Sequence, residues 1–127
     1  MDNVSSMMIE YDFIRLPKIK TYNIFAYAAE LKIIFDNQVF LEVDDIAICD
    51  LIIELSKWLK DMNKDFSYVP QDFTEEILRF KIDNQHYIIT SIWSTNEVKI
   101  NRGVLDMYII DFIENFKIRN TILRHLV

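Results

Sequence analysis

The sequence predicts an α+β fold: a mainly antiparallel sheet with two helices packed on one face, arranged as two hairpin-plus-helix units over about residues 25–62 and 77–126. Three observations carry that expectation. Residues 25–35 show a period of two, as a half-buried strand does. The tripeptide Asp-Asn-Gln occurs twice, at 36–38 and 83–85, each time between two strand-like runs. Each of those hairpins is followed by apolar residues at i, i+3 and i+4, the stripe of a helix that buries one side.

In chain order, Met8 to Arg15 reads as a first strand that ends near Pro17. Phe25, Tyr27, Ala29, Leu31, Ile33 and Phe35 share one face of the second strand. A three-residue loop at Asp36-Asn37-Gln38 keeps like residues on like faces, with Leu41 opposite Ile33, Val43 opposite Leu31 and Glu42 opposite Lys32. It also sets Val39 opposite Phe35 and Phe40 opposite Ile34. The first helix is expected from about Asp45 to Met62, with Asp44 as its N-cap and a stripe of Ile48, Leu51, Ile52, Leu55, Trp58, Leu59 and Met62. Asp65 to Val69 reads as a short strand. A second three-residue loop places His86 opposite Ile82 and Ile88 opposite Phe80, which turns Tyr87 towards Lys81 and Ile89 towards Arg79. The second helix is expected from about Arg102 to Leu126, capped by Asn101, with Leu105, Ile109, Phe112, Phe116, Leu123 and Leu126 on its buried side.

A chain of 127 residues with 51% apolar and 13% aromatic content is long and hydrophobic enough for one self-contained core, so residues 1–127 are expected to form a single domain. No basic-then-apolar leader opens the chain, and no apolar window approaches the length of a membrane span. With its lone cysteine, Cys49, the chain fits a reducing cytoplasm. The net charge is −6, and Asp36, Glu42, Asp44, Asp45, Asp50 and Glu54 fall between Lys32 and Lys57 with no lysine or arginine among them. That balance repels phosphate backbones and argues against nucleic acid as a partner, as the lack of a span argues against membrane.

The single glycine, Gly103, excludes the glycine-rich phosphate loops, which need several residues without a side chain where backbone meets oxygen. His86, His125 and Cys49 have none of the spacings of a zinc or iron site. Asp44-Asp45 and Glu75-Glu76 lack the alternating oxygen ligands of a calcium loop. Ser91 and Ser94 lack a nucleophile elbow. No catalytic residue, metal or cofactor is therefore expected.

What remains is the hairpin face turned away from the helices. It is expected to carry Lys32, Ile34, Phe40 and Glu42 on one hairpin, with Arg79, Lys81, Tyr87, Ile89, Ser91 and Trp93 on the other. Aromatic and arginine side chains in a polar surround have the composition of a protein-binding hot spot. The same face would equally suit burial under the first strand, the Tyr68 segment or a second copy of the chain. Asp44 and Asp45 extend the set at the acidic end, where they either meet a basic partner or complement the helix dipole. Met107, Ile118 and Ile122 lie off the stripe of the second helix and offer a homodimer contact or scattered apolar surface.

Three stretches, Glu54-Leu55-Ser56-Lys57-Trp58-Leu59, Asp65-Phe66-Ser67-Tyr68 and Ser91-Ile92-Trp93, resemble a group of small acidic bacterial proteins that look like immunity proteins of polymorphic toxin systems. The resemblance implies a toxin or effector as protein partner and no catalytic residue, and the acidic run from Asp36 to Glu54 suits a partner with a basic surface. The sequence therefore leads to a cytoplasmic binding module that neutralises its partner directly. Two other classes stay open: a phage-encoded factor that sequesters a host defence protein or small signal, and a small enzyme whose site assembles only in the fold.

Overall fold

The chain bears out the α+β class but divides its strands between two sheets rather than one. The computed structural model describes residues 2–127, with the side chain of Asp2 left aside. In order it holds β1 (Asp2–Val4), β2 (Met7–Arg15), β3 (Ala28–Phe35), β4 (Gln38–Ala47), α1 (Ile48–Leu59), β5 (Phe66–Tyr68), β6 (Leu78–Asp83), β7 (His86–Thr90), β8 (Val98–Asn101) and α2 (Arg102–Arg119). One sheet has the order β1-β8-β7-β6-β5 and the other β2-β3-β4. All pairings are antiparallel except β1 with β8.

Both helices touch both sheets. α1 packs against β3 and β5, and α2 against β2, β7 and β8, so the helix pair lies between the sheets. The apolar stripe of α1 is wide enough for this, since Ile48, Cys49, Leu51, Ile52, Leu55 and Trp58 are all buried. Trp58 is the hinge of that packing: its ring meets Phe66, Phe80 and Tyr87 edge-on at 5.9, 5.4 and 5.6 Å. Its indole N–H donates to the Lys64 carbonyl at 3.0 Å, which satisfies the one polar group it brings inside. On the other side Tyr11 of β2 meets Phe112 and Phe116 of α2.

Turn chemistry corrects the hairpin registers. Asp36 and Asn37 have φ of 47° and 65°, the left-handed pair of a two-residue turn that Asp and Asn tolerate without glycine. Phe35 therefore faces Gln38 and Ile34 faces Val39. A bulge then inserts Phe40, after which Leu41–Ile33, Glu42–Lys32 and Val43–Leu31 pair as the sequence predicts. In the second hairpin Asn84 (φ 56°) and Gln85 form a two-residue loop with no later bulge. Every pair is thus one residue out from expectation: His86 faces Asp83, Tyr87 faces Ile82 and Ile89 faces Phe80.

The expected N-cap role of Asp44 is also corrected. Ile46 and Ala47 continue the ladder to Ala29 and Ala28, so the helix begins at Ile48 with Ala47 as a cap that makes no side-chain hydrogen bond. Asp44 and Asp45 instead bulge from β4 opposite Glu30. At the start of the second predicted strand, residues 24–26 form a 3-10 turn, which leaves Phe25 exposed. β8 was not foreseen, because four residues are too few to show a period.

Asn101 caps α2 as expected, its side-chain oxygen accepting from Gly103 N at 2.9 Å and Val104 N at 3.3 Å. Asn101→Ala is expected to lower stability by about 1 kcal/mol in urea unfolding, without changing the slope of the transition. No measurable change would mean that solvent satisfies those amides equally well.

Candidate functional site

The outer face of the three-stranded sheet gathers most of the charge. Strand alternation turns Met7, Ile9, Tyr11 and Phe13 of β2 towards the helices and leaves Met8, Glu10 and Asp12 outside. Glu10, Lys32 and Glu42 then lie in one cross-strand row, with Lys32 Nζ 3.6 Å from Glu42 Oε1. Asp12 faces Glu30 in the next row, and Asp44 follows at the bulge. Five carboxylates therefore surround one lysine over a shallow depression of about 150 Å³. Towards the turn, Met8, Ile34 and Val39 make an apolar row.

Beside this face lies a groove of about 490 Å³. The half-exposed rings of Phe25, Phe73 and Trp93 line it, with Phe73 and Trp93 edge-to-face at 5.8 Å. Across from them Arg15 donates two bonds through one nitrogen to the carboxylate of Asp45, at 2.9 and 2.8 Å. Val43 borders both depressions, so the acidic face and the aromatic groove are adjacent.

Of the residues singled out from sequence, Lys32, Ile34, Glu42 and Asp44 meet on the acidic face, and Asp45 and Trp93 in the groove. Arg79 and Lys81 lie elsewhere, on the outer face of the five-stranded sheet beyond the helix layer. Arg79 is held there by Asp65 at 3.6 Å and Glu76 at 3.8 Å. Phe40 and Tyr87 are corrected outright. The bulge turns Phe40 inward onto Phe35, with ring centroids 5.4 Å apart. The register shift buries Tyr87 completely, its hydroxyl donating to the Met62 carbonyl at 2.9 Å. Ile89 is buried for the same reason.

Sequence reasoning missed Glu30, although it shares its strand face with Lys32, and missed Glu10 and Asp12, although alternation along Met8–Ile14 carried the signal. What lacked was the knowledge that β2 pairs with β3. Phe25 was missed because the period of the second strand was extended over it, where a 3-10 turn leaves it outside, and Phe73 because it sits in a connection, where no period marks an outward ring.

The two buried tyrosine hydroxyls are each held by a hydrogen bond. The Tyr68 hydroxyl donates to Asp50 Oδ2 at 2.9 Å, and burial, helped by that carboxylate, pushes its pKa far up. Burial likewise raises the Cys49 thiol to about 11 and raises Tyr87. Asp106 has one buried oxygen without a hydrogen-bond partner, and desolvation raises its pKa against the opposing pull of Arg102. Among the described residues, no three His, Cys, Asp or Glu side chains are grouped to hold a metal ion. No helix there is long and apolar enough to cross a membrane.

Two sheets with a helix pair between them, and one open acidic face, define a small α+β protein. The chain belongs to the DUF7878 family, described as a domain of unknown function, whose family model matches residues 7–119. No curated protein and no solved structure matches the chain.

Proposed function

We propose that this chain is a protein-binding module that engages a basic protein through the outer face of its three-stranded sheet and the adjoining aromatic groove. The observation that carries the reading is the arrangement of Glu10, Asp12, Glu30, Glu42 and Asp44 around Lys32, next to half-exposed Phe25, Phe73 and Trp93. Carboxylates in excess steer an oppositely charged partner and select against a like-charged one, while exposed rings at the border supply area that water leaves on contact. The resemblance of the three short stretches to immunity proteins gives that partner its class: a toxin or effector, neutralised when its basic surface is covered. In this fold two of those stretches are packing segments around Trp58, Phe66 and Tyr68, whereas Trp93 in the third lies on the proposed surface.

The test is capture from the native host on immobilised protein, with the wild type beside Glu30→Lys/Glu42→Lys. The wild type is expected to retain a basic protein that the double variant loses, at equal thermal stability, and co-expression is expected to suppress that protein's activity. Equal retention by both forms would overturn the reading, and retention without suppression would remove the inhibitor role.

A further inference from the structure

The sheet order β2-β3-β4 makes β2 an edge, and among the described residues β3 is its only strand partner. On the free side every second residue of this nine-residue strand presents an N–H and a C=O with no ladder to join. Proteins usually blunt such an edge, and the opposite one here is blunted: β4 carries bulges at Phe40 and at Asp44-Asp45. β2 has its one irregularity at Ile14, near its end, so Met7 to Phe13 stay regular.

Along that regular stretch runs a groove of about 280 Å³ between β2 and α2, lined by Met7, Ile9 and Tyr11 on one side and Tyr108, Phe112 and Asn115 on the other. A strand edge flanked by a helix is the geometry that admits an extended peptide as an added strand, with main-chain bonds giving affinity and alternate side chains giving specificity. The charges around it select the occupant. Glu10 and Asp12 project outward from the edge strand and Asp111 lines the groove, three carboxylates against the cation of Arg119, which sits over the Tyr11 ring at 5.5 Å. A second copy paired antiparallel about Tyr11 is disfavoured, because it would set Glu10 of each strand opposite Asp12 of the other, and like charges directly opposed destabilise a ladder.

We propose that β2 accepts an extended basic segment of the partner protein as a fourth strand, its alternate lysines or arginines set against Glu10 and Asp12 and its intervening apolar side chains entering the groove against α2. This rests on the acidic face being the binding surface and adds how the partner is held.

The test uses a capped nonapeptide alternating lysine with valine, and two further versions N-methylated on all lysines or on all valines, each titrated into the intact protein by NMR. In an added strand only alternate amides point at β2. One methylated peptide is therefore expected to bind at least about tenfold more weakly than the parent and the other within about twofold, with amide shifts centred on Met8 to Phe13. Equal binding of all three would overturn strand addition while leaving the acidic-face reading intact, since side-chain contacts alone ignore N-methylation. A parent peptide that moves none of those amides would also overturn it, and the capture experiment then shows separately whether the acidic-face reading falls too.

Discussion

Trp58→Ala is expected to lower the free energy of unfolding by about 3–5 kcal/mol, the usual cost of truncating a large buried aromatic. Trp58 is 3% exposed and joins α1 to β5, β6 and β7 through three ring contacts, so the cavity would open at the junction of helix and sheet. The loss also leaves the Lys64 carbonyl without its 3.0 Å donor. Against a typical total of about 5–15 kcal/mol, the expected loss is a large share of the stability. Trp58→Phe keeps part of the ring packing and should lose clearly less. Urea unfolding checks both, and a loss below about 1 kcal/mol for the alanine variant would mean that the sheet closes over the gap.

The second large effect is alkaline loss of stability. Cys49 is fully buried, and desolvation raises its thiol from an ordinary 9.0 to about 11. A raised folded-state value means that the unfolded chain releases its proton first. Stability is then fully present below pH 9 and is lost as pH rises towards 11, because there the unfolded state binds fewer protons than the folded one. The two-unit gap corresponds to about 2–3 kcal/mol. Tyr68 and Tyr87, both raised first by burial, add a loss of the same sign from about pH 10 upward. Denaturant midpoints are expected to be flat from pH 7 to 9 and to fall between 9 and 11, with Cys49→Ala flattening the first part of that fall. A wild-type profile still flat at pH 11 would contradict the burial of these groups.

The sequence disclosed the fold wherever a period ran long enough to be read. β2 with its alternation, the stripe of α1 and the Asn101 cap all follow from side-chain spacing and end chemistry. Register was harder. In the second hairpin the expected register opposes one apolar pair, Ile88–Phe80, and the observed register two, Phe80–Ile89 and Ile82–Tyr87, too small a difference for alternation alone to discriminate. What settles it is tertiary: Tyr87 and Ile89 belong with Phe80 in the core, and Tyr87 and Phe80 both meet Trp58. Phe40 and Asp44-Asp45 went astray because a bulge changes the face of a side chain without leaving a compositional mark. The acidic face was half legible. Lys32, Glu42 and Asp44 were visible as neighbours along one hairpin, which also carries Glu30, but Glu10 and Asp12 joined them only through the β2–β3 pairing, a contact between segments some twenty residues apart. The aromatic groove was legible only in Trp93, since its other rings come from separate connections.

The most direct test of the account is the rate at which the captured partner associates with wild type and with Glu30→Lys/Glu42→Lys as salt is raised from about 20 to 300 mM, a range over which exposed charges become screened. If the acidic face steers the encounter, the wild-type rate falls steeply with salt, and the variant associates at least about tenfold more slowly at the low end. A wild-type rate indifferent to salt and unchanged by the two reversals would contradict it.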